Sequence, residues 1–317
     1  MSEKIGLPRG LLFYKYEDLV VPYFDELGCE VVVSPETNKG ILKKGIDRSI
    51  DESCLSVKIF LGHVDALIGK ADYIFVPRVA CLRHREEMCT KFLGLPDIIR
   101  NTFDDVKLLE CDVDMNSNKH QMMEFIKMGV RLGNNPIKCF RAYTRARKNY
   151  QSKVYEKAVK QAKLLDIDGI KILVVSHPYT TYDAFLGKPI TKYLKSQGVV
   201  LLYSDSTGYD FRQKEKPGLS ETIYWTFHKE FLAAIEKYRK DVQGILFLST
   251  FPCGPDSLVI DLCQKKIKEI PVVVITLDEQ QGDAGLKTRL ESFVDILKIK
   301  NENKSKLPAY GQLLGSY

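Results

Sequence analysis

One stretch limits the folds open to this chain more than any other. Gly244-Ile-Leu-Phe-Leu-Ser249 is a continuous apolar run of strand length, and Asp256-Ser-Leu-Val-Ile-Asp-Leu-Cys263 follows it with apolar residues at helical spacing. A strand without polar alternation is buried on both faces. A helix that starts a few residues later must cross back over the sheet, as in parallel α/β folds. Cys253 lies at the turning point, with Gly254 to let the backbone bend and Pro255 suited to a first helical turn. Unpaired amides and the helix dipole at such a turn favour an anion such as a thiolate. Strand ends of this kind are where open α/β sheets hold ligands. The plainer alternative is a small apolar residue packed in a turn.

The same unit recurs along the chain. Residues 4–8, 29–33, 72–76 and 105–109 read as strands, with helices over 10–27, 40–50 and 55–68, and helical segments over 119–132 and 136–165 complete the series. A second series has strands over 170–175, 198–203, 244–249 and 271–276, with helices over 189–197, around Trp225 to Ile235, and over 286–299. The 317 residues suit two domains of ordinary size. The expected architecture is α/β, with two parallel-sheet domains over residues 1–168 and 169–317 joined by right-handed crossovers. Two such domains facing each other would bring their strand ends to one cleft.

Asp51-Glu-Ser-Cys54 precedes the helix over 55–68. With Ser53 or Asp51 as its cap, Cys54 falls in the first turn, a second cysteine at the positive end of a helix dipole. Residues 81–97 are polar and interrupted by glycine and proline, so they read as a loop on the same sheet edge, with Cys81 near the strand and Cys89 in the middle. Cys29 reads as core packing, and Cys111 falls at the end of the strand over 105–109. Thiols at helix N-termini are expected to have lowered pKa values.

Composition closes off several functions. The net charge of +6 is modest and the lysines are spread along helix faces; Arg141-Ala-Tyr-Thr-Arg-Ala-Arg-Lys148 is a small basic cluster without the pattern of a nucleic-acid binder. No run of about 18 apolar residues is long enough to span a membrane, and the chain passes straight into Ile5-Gly-Leu-Pro8 with no apolar leader. A cytoplasmic protein is expected, in which eight cysteines do not form a disulfide framework. With no C-x-x-C pair, any metal site must be assembled from distant segments.

Eight short motifs occur in a fixed order. They are Ile5-Gly-Leu-Pro-Arg9, Ser34-Pro-Glu-Thr-Asn38, Asp51-Glu-Ser-Cys54, Lys58-Ile-Phe-Leu-Gly-His63, Cys89-Thr-Lys-Phe-Leu-Gly-Leu-Pro-Asp97, His177-Pro-Tyr179, Cys253-Gly-Pro-Asp-Ser257 and Thr276-Leu-Asp-Glu-Gln-Gln-Gly-Asp-Ala-Gly285. The set resembles the acyl-CoA dehydratase activase-related family, kin of the 2-hydroxyglutaryl-CoA dehydratase D-component and of double-cubane cluster proteins. The resemblance spans nearly the whole chain and implies two Rossmann-like domains with a metal-cluster cleft between them. In the dehydratase relatives three cysteines hold a [4Fe–4S] cluster with one iron left open. Matched by motif position, that role passes to Cys54, Cys89 and Cys253, with Cys81 as a fourth ligand that would close the cluster. A larger iron–sulfur cluster is the alternative and needs more thiolates. Thr90 after Cys89 and Ser56 after Cys54 depart from the family, which often has proline near each ligand; the thiols are untouched.

The resemblance further implies a low-potential electron donor, such as an ATP-dependent activase, and a small-molecule or acyl-CoA substrate. The chain itself shows no glycine-rich phosphate loop. The first expectation is an oxygen-sensitive iron–sulfur protein that transfers low-potential electrons or reduces a small substrate at an open iron. A non-catalytic cluster-bearing partner of a dehydratase/activase system and a cluster-free protein binding a CoA ligand are the alternatives, so enzyme activity stays open. No nucleic acid or membrane is expected as a partner, and a homodimer is allowed for. Near the expected cleft, His177, Lys58 and Glu279 are catalytic candidates. His177 would donate to substrate or sulfide or fix a loop, and Lys58 would face the cluster or form a salt bridge. Asp278 and Glu279 would do acid–base work or, preferably, cap the last helix. Arg9 and Arg78 follow strands and could meet anions, and His84 lies in the 81–97 loop.

Overall fold

In the computed structural model of the chain, described over residues 2–208, 222–280 and 283–306, the alternation becomes two sheets of four parallel strands. The first holds β1 (Lys4–Leu7), β2 (Glu30–Val33), β3 (Tyr73–Cys81) and β4 (Leu108–Asp114) in the order β2-β1-β3-β4. The second holds β5 (Lys171–Ser176), β6 (Val200–Tyr203), β7 (Gly244–Thr250) and β8 (Val272–Leu277) in the order β6-β5-β7-β8. The two orders are the same, so each sheet reverses direction between its first and third strands, β1 and β3 or β5 and β7. Ligands of open α/β sheets bind outside the strand ends at such a reversal.

The second sheet shows why its strands are apolar throughout. Ile172, Val174, Leu246 and Leu248 face one core, and their neighbours Leu173, Val175, Ile245 and Phe247 face another. With side chains alternating between two buried faces, no position of β7, nor of β5 after its first residue Lys171, is left to water. One face is covered by α9 (Gly187–Ser196) and α12 (Asp283–Lys306), the other by α10 (Thr226–Tyr238) and α11 (Gly254–Lys266).

The first sheet packs with α1 (Phe13–Leu27), α6 (Gln121–Arg131) and the long α7 (Pro136–Lys163) around Leu19, Tyr23, Phe24, Phe125 and Tyr143. Two further helices, α2 (Lys39–Asp47) and α3 (Leu55–Asp65), reach across to the other sheet: Leu42, Leu55 and Ile59 belong to the core built on β5 and β7. Glycines let these two helices touch. A Cβ on Gly45 would lie 1.9 Å from the Lys58 carbonyl oxygen, and one on Gly62 would lie 2.0 Å from that of Ile41.

Three expectations for the first half are corrected. The third strand does not stop at Val76 but runs to Cys81, paired with β4. Pro77 is tolerated because β1 pairs with β3 only at Tyr73 and Ile74, leaving the later residues with a neighbour on one side. Residues 81–97 are not all loop, for they contain α4 (Thr90–Leu93) and the start of α5 (Leu95–Thr102), which has Pro96 in its first turn. The fourth strand lies at 108–114 rather than 105–109, which puts Cys111 mid-strand and buried.

Candidate functional site

At the reversal in the second sheet, β5 leads into His177 and the short α8 (Pro178–Thr181), and β7 leads into Cys253. Cys253 is the N-cap residue of α11. Cys54 is itself the N-cap of α3, in place of the expected Ser53 or Asp51, and Cys89 is the N-cap of α4. Each of these three cysteines thus begins a helix.

Backbone bonds between the two halves bring them together. The Leu55 amide donates to the Phe251 carbonyl at 2.9 Å, tying the residue after Cys54 to the turn before Cys253. Beside it, the Ser56 and Thr250 hydroxyls bond at 3.0 Å. The Glu87 amide donates to the Tyr224 carbonyl at 3.0 Å and the Thr226 amide returns to the Glu87 carbonyl at 2.9 Å, fixing the Cys89 segment to the start of α10.

Cys54, Cys89 and Cys253 consequently line one small pocket. Its other walls include Met88, Phe92, Tyr179, Trp225 and Phe227, with Lys91 as a cation. His177 and His228 line it as well.

Behind the two histidines is Asp256, and all three side chains are buried. His177 Nε2 and His228 Nε2 each lie 2.8 Å from Asp256 Oδ1. Burial works to raise the Asp256 pKa, but the two imidazoles beside it win and hold it well below the usual carboxylate range. An ionised carboxylate only accepts, so both rings donate Nε2–H to it. That leaves Nδ1 as the second nitrogen of each ring, and both Nδ1 atoms are buried without a hydrogen-bond partner among the described residues. Burial also pushes the His228 imidazole towards its neutral form, against the pull of Asp256. The three side chains lie close enough to hold a metal ion between them.

The Cys54 and Cys253 thiols do not follow the expectation of lowered pKa. Burial pushes Cys253 up, with the charge of Asp256 adding to it. Cys54 is also raised by burial, and the Val57 amide and Lys91 only partly offset this. Helix ends favour the thiolate, but the loss of water around a buried sulfur outweighs them here. Binding a metal at these sulfurs therefore releases protons.

Cys81 does not join the pocket, for its thiol donates to the Arg83 carbonyl at 2.7 Å in a buried position. The buried Lys58 forms an ion pair with the exposed Glu279 and donates to the Asp51 carbonyl at 3.0 Å, so both catalytic candidates are engaged with each other across the two halves. Asp278 accepts from the Gln280 amide at 2.8 Å. Arg9 Nε donates to the Ser34 carbonyl, and Arg78 is held by Asp97, Glu110 and Asp112. His84 is exposed. His228 and Asp256 were not singled out by sequence. His228 lies in the helix around Trp225 to Ile235, among aromatic residues, and Asp256 enters only as part of the Cys253–Ser257 motif and the helical run after it.

Residues 4–207 match the family model described as CoA enzyme activase uncharacterised domain (DUF2229), a span that holds Cys54, Cys89 and His177 and stops before Cys253. No curated protein matches the chain. Solved structures similar to it include an Mn-bound periplasmic metal binding protein from Candidatus Liberibacter asiaticus, 12% identical with a TM-score of 0.26, the match covering 94% of this chain and 99% of that one. Another is the SBP FpvC from Pseudomonas aeruginosa in complex with Mn²⁺, 11% identical with a TM-score of 0.29, covering 96% and 100%. Likeness this remote carries no functional weight. Among the described residues, no helix is long and apolar enough to cross a membrane.

Proposed function

The chain belongs to the CoA enzyme activase uncharacterised-domain family, and on that premise we propose that it is an iron–sulfur protein of an acyl-CoA dehydratase/activase system. Cys54, Cys89 and Cys253 would hold one [4Fe–4S]-type cluster, used for low-potential electron transfer or for reduction of a small substrate. The observation that carries this reading is that three cysteines from distant segments, each starting a helix, line a single pocket.

The donor set fits the group. Sulfur ligands suit iron–sulfur clusters or zinc, and structural zinc sites are usually closed by local C-x-x-C hooks, which this chain lacks. A cluster bound here would supply one-electron chemistry at low potential. The protein's part is to hold and shield it. Helix-start amides and Lys91 stabilise negative charge at the sulfurs, while Met88, Phe92, Trp225 and Phe227 keep water out. Eight free cysteines suit a reducing compartment such as the cytoplasm. With no phosphate-binding loop of its own, the chain would take its electrons from a separate ATP-dependent activase or another low-potential donor.

The test is iron and acid-labile sulfide on anaerobically reconstituted protein, where about four of each per chain are expected. Cys54→Ala, Cys89→Ala and Cys253→Ala should each lose most of the iron. Cys29→Ala should keep it, as should Cys81→Ala, whose thiol is bonded elsewhere. Wild-type protein without iron, or equal iron in every variant, overturns the assignment.

A further inference from the structure

Three thiols leave one corner of a four-iron cubane without a protein ligand. Candidates for that corner are polar atoms of the pocket wall that have nothing else to bond. Among the described residues three buried ones qualify: His177 Nδ1, His228 Nδ1 and Thr226 Oγ1. The threonine hydroxyl is a donor suited to a sulfide, whereas an imidazole lone pair is an iron ligand.

Asp256 makes the two nitrogens inequivalent in each ring. It takes Nε2–H from both histidines at 2.8 Å, so a neutral ring there carries its lone pair on Nδ1. A carboxylate behind one nitrogen with the other left bare is how proteins orient a metal-binding histidine. An isolated His₂Asp metal site fits less well, because both Nδ1 atoms would then lack the hydrogen-bonded support such ligands normally have.

The two rings differ in their surroundings. His177 lies flat against Tyr179, with centroids 4.7 Å apart and planes 8° from parallel, and Phe227 and Phe231 pack on it too. The aromatic neighbours of His228 among the described residues meet it edge-on, and its turn of α10, from Trp225 onward, forms one wall of the pocket. We propose that His228 Nδ1 is the fourth ligand of the cluster held by Cys54, Cys89 and Cys253, with His177 acting only as the second donor to Asp256. This rests on the function proposed above and sharpens it. A cluster closed by histidine has no open iron, so the protein passes electrons and does not reduce a substrate at bare metal. A neutral imidazole in place of a fourth thiolate also leaves the cluster less negative and easier to reduce.

The experiment is electron–nuclear double resonance on the reduced, anaerobically reconstituted protein labelled with ¹⁵N-histidine. Wild type and His177→Ala should show the strong coupling of a directly bonded nitrogen, and His228→Ala should lose it while its three thiols retain iron. A fully loaded wild-type cluster without nitrogen coupling overturns this inference and leaves the proposed function standing. Coupling that survives in His228→Ala overturns it as well. If wild type binds no iron, the proposed function falls and this inference falls with it. Should His228→Ala fail to fold, His228→Gln replaces it, and the labelled wild type already decides whether any imidazole is bound.

Discussion

Two buried clusters, each built on histidine and aspartate, sit in this protein, and they differ in one respect. In the first, every hydrogen bond has a consistent direction. Thr37 Oγ1 donates to Asp183, so it must accept from His63 Nε2–H at 3.0 Å, and His63 Nδ1 accepts in turn from the Ser34 hydroxyl at 2.9 Å. Ser34 Oγ accepts from the Arg9 amide at 2.8 Å, and Tyr14 donates to Asp183 Oδ2 at 2.9 Å. The amides of Phe185 and Leu186 complete the other oxygen of Asp183. In the second cluster Asp256 satisfies one nitrogen of His177 and of His228 and leaves the other bare. A buried polar atom without a partner costs about 1–3 kcal/mol, so a closed network reads as structure and an open one as a place for a ligand.

Breaking the closed network should have the largest effect on stability. Asp183→Ala leaves the Tyr14 hydroxyl and two amides unpaired and takes the acceptor from the Thr37 hydroxyl, which keeps its bond to His63. It should cost about 3–5 kcal/mol in denaturant unfolding, while iron per folded chain stays unchanged. Loss of iron in folded Asp183→Ala would mean that the two clusters are not separate in function.

Acid should act on the same network. Burial, helped by the charge of Arg9, pushes the His63 pKa down from 6.5 to about 3. Between those values the unfolded chain binds a proton that the folded protein refuses. The contribution is therefore complete above pH 6.5 and is lost as pH falls towards 3, at about 1.4 kcal/mol per pH unit. Metal-free protein should lose stability over this window, and His63→Gln should flatten the slope by close to one proton. An unchanged slope in that variant would show that His63 does not carry the acid sensitivity.

What the sequence revealed and what it hid follow the same divide between local and assembled features. The strand at Gly244–Thr250 was legible because both of its faces are buried and the residues say so directly. The helix begun by Cys89 has four residues, too few for any periodicity to show, and so the segment looked like loop. Cys54, Cys89 and Cys253 were picked out by their motifs, but their meeting depends on bonds such as Leu55 to Phe251 and Glu87 to Tyr224, which no local pattern encodes. The thiol pKa values went the other way from expectation because a helix start is visible in sequence and burial is not. His228 gave no signal at all, since one histidine among Trp225, Phe227 and Phe231 is indistinguishable from core.

Smaller changes should convert one kind of cluster towards the other. Ser34→Ala strips His63 Nδ1 of its donor and makes it resemble the bare nitrogens beside Asp256. A cost of about 1–2 kcal/mol is expected in thermal or denaturant unfolding, because the Arg9 amide loses its acceptor as well. A neutral result would show that a bare buried imidazole nitrogen is harmless here, and the contrast between the clusters would lose its energetic basis.

The smallest effect should come from His228→Gln in the metal-free protein. Its Nδ1 has no partner among the described residues, so its loss removes no hydrogen bond seen there, and the glutamine amide can still donate to Asp256 Oδ1. Stability should change by under about 1 kcal/mol, well short of Asp183→Ala. The ordering decides the point. If His228→Gln destabilised the metal-free protein as much as Asp183→Ala does, His228 would be a structural residue like His63. A small cost would instead leave the ring's bare nitrogen, kept dry and held by a carboxylate, without a structural reason.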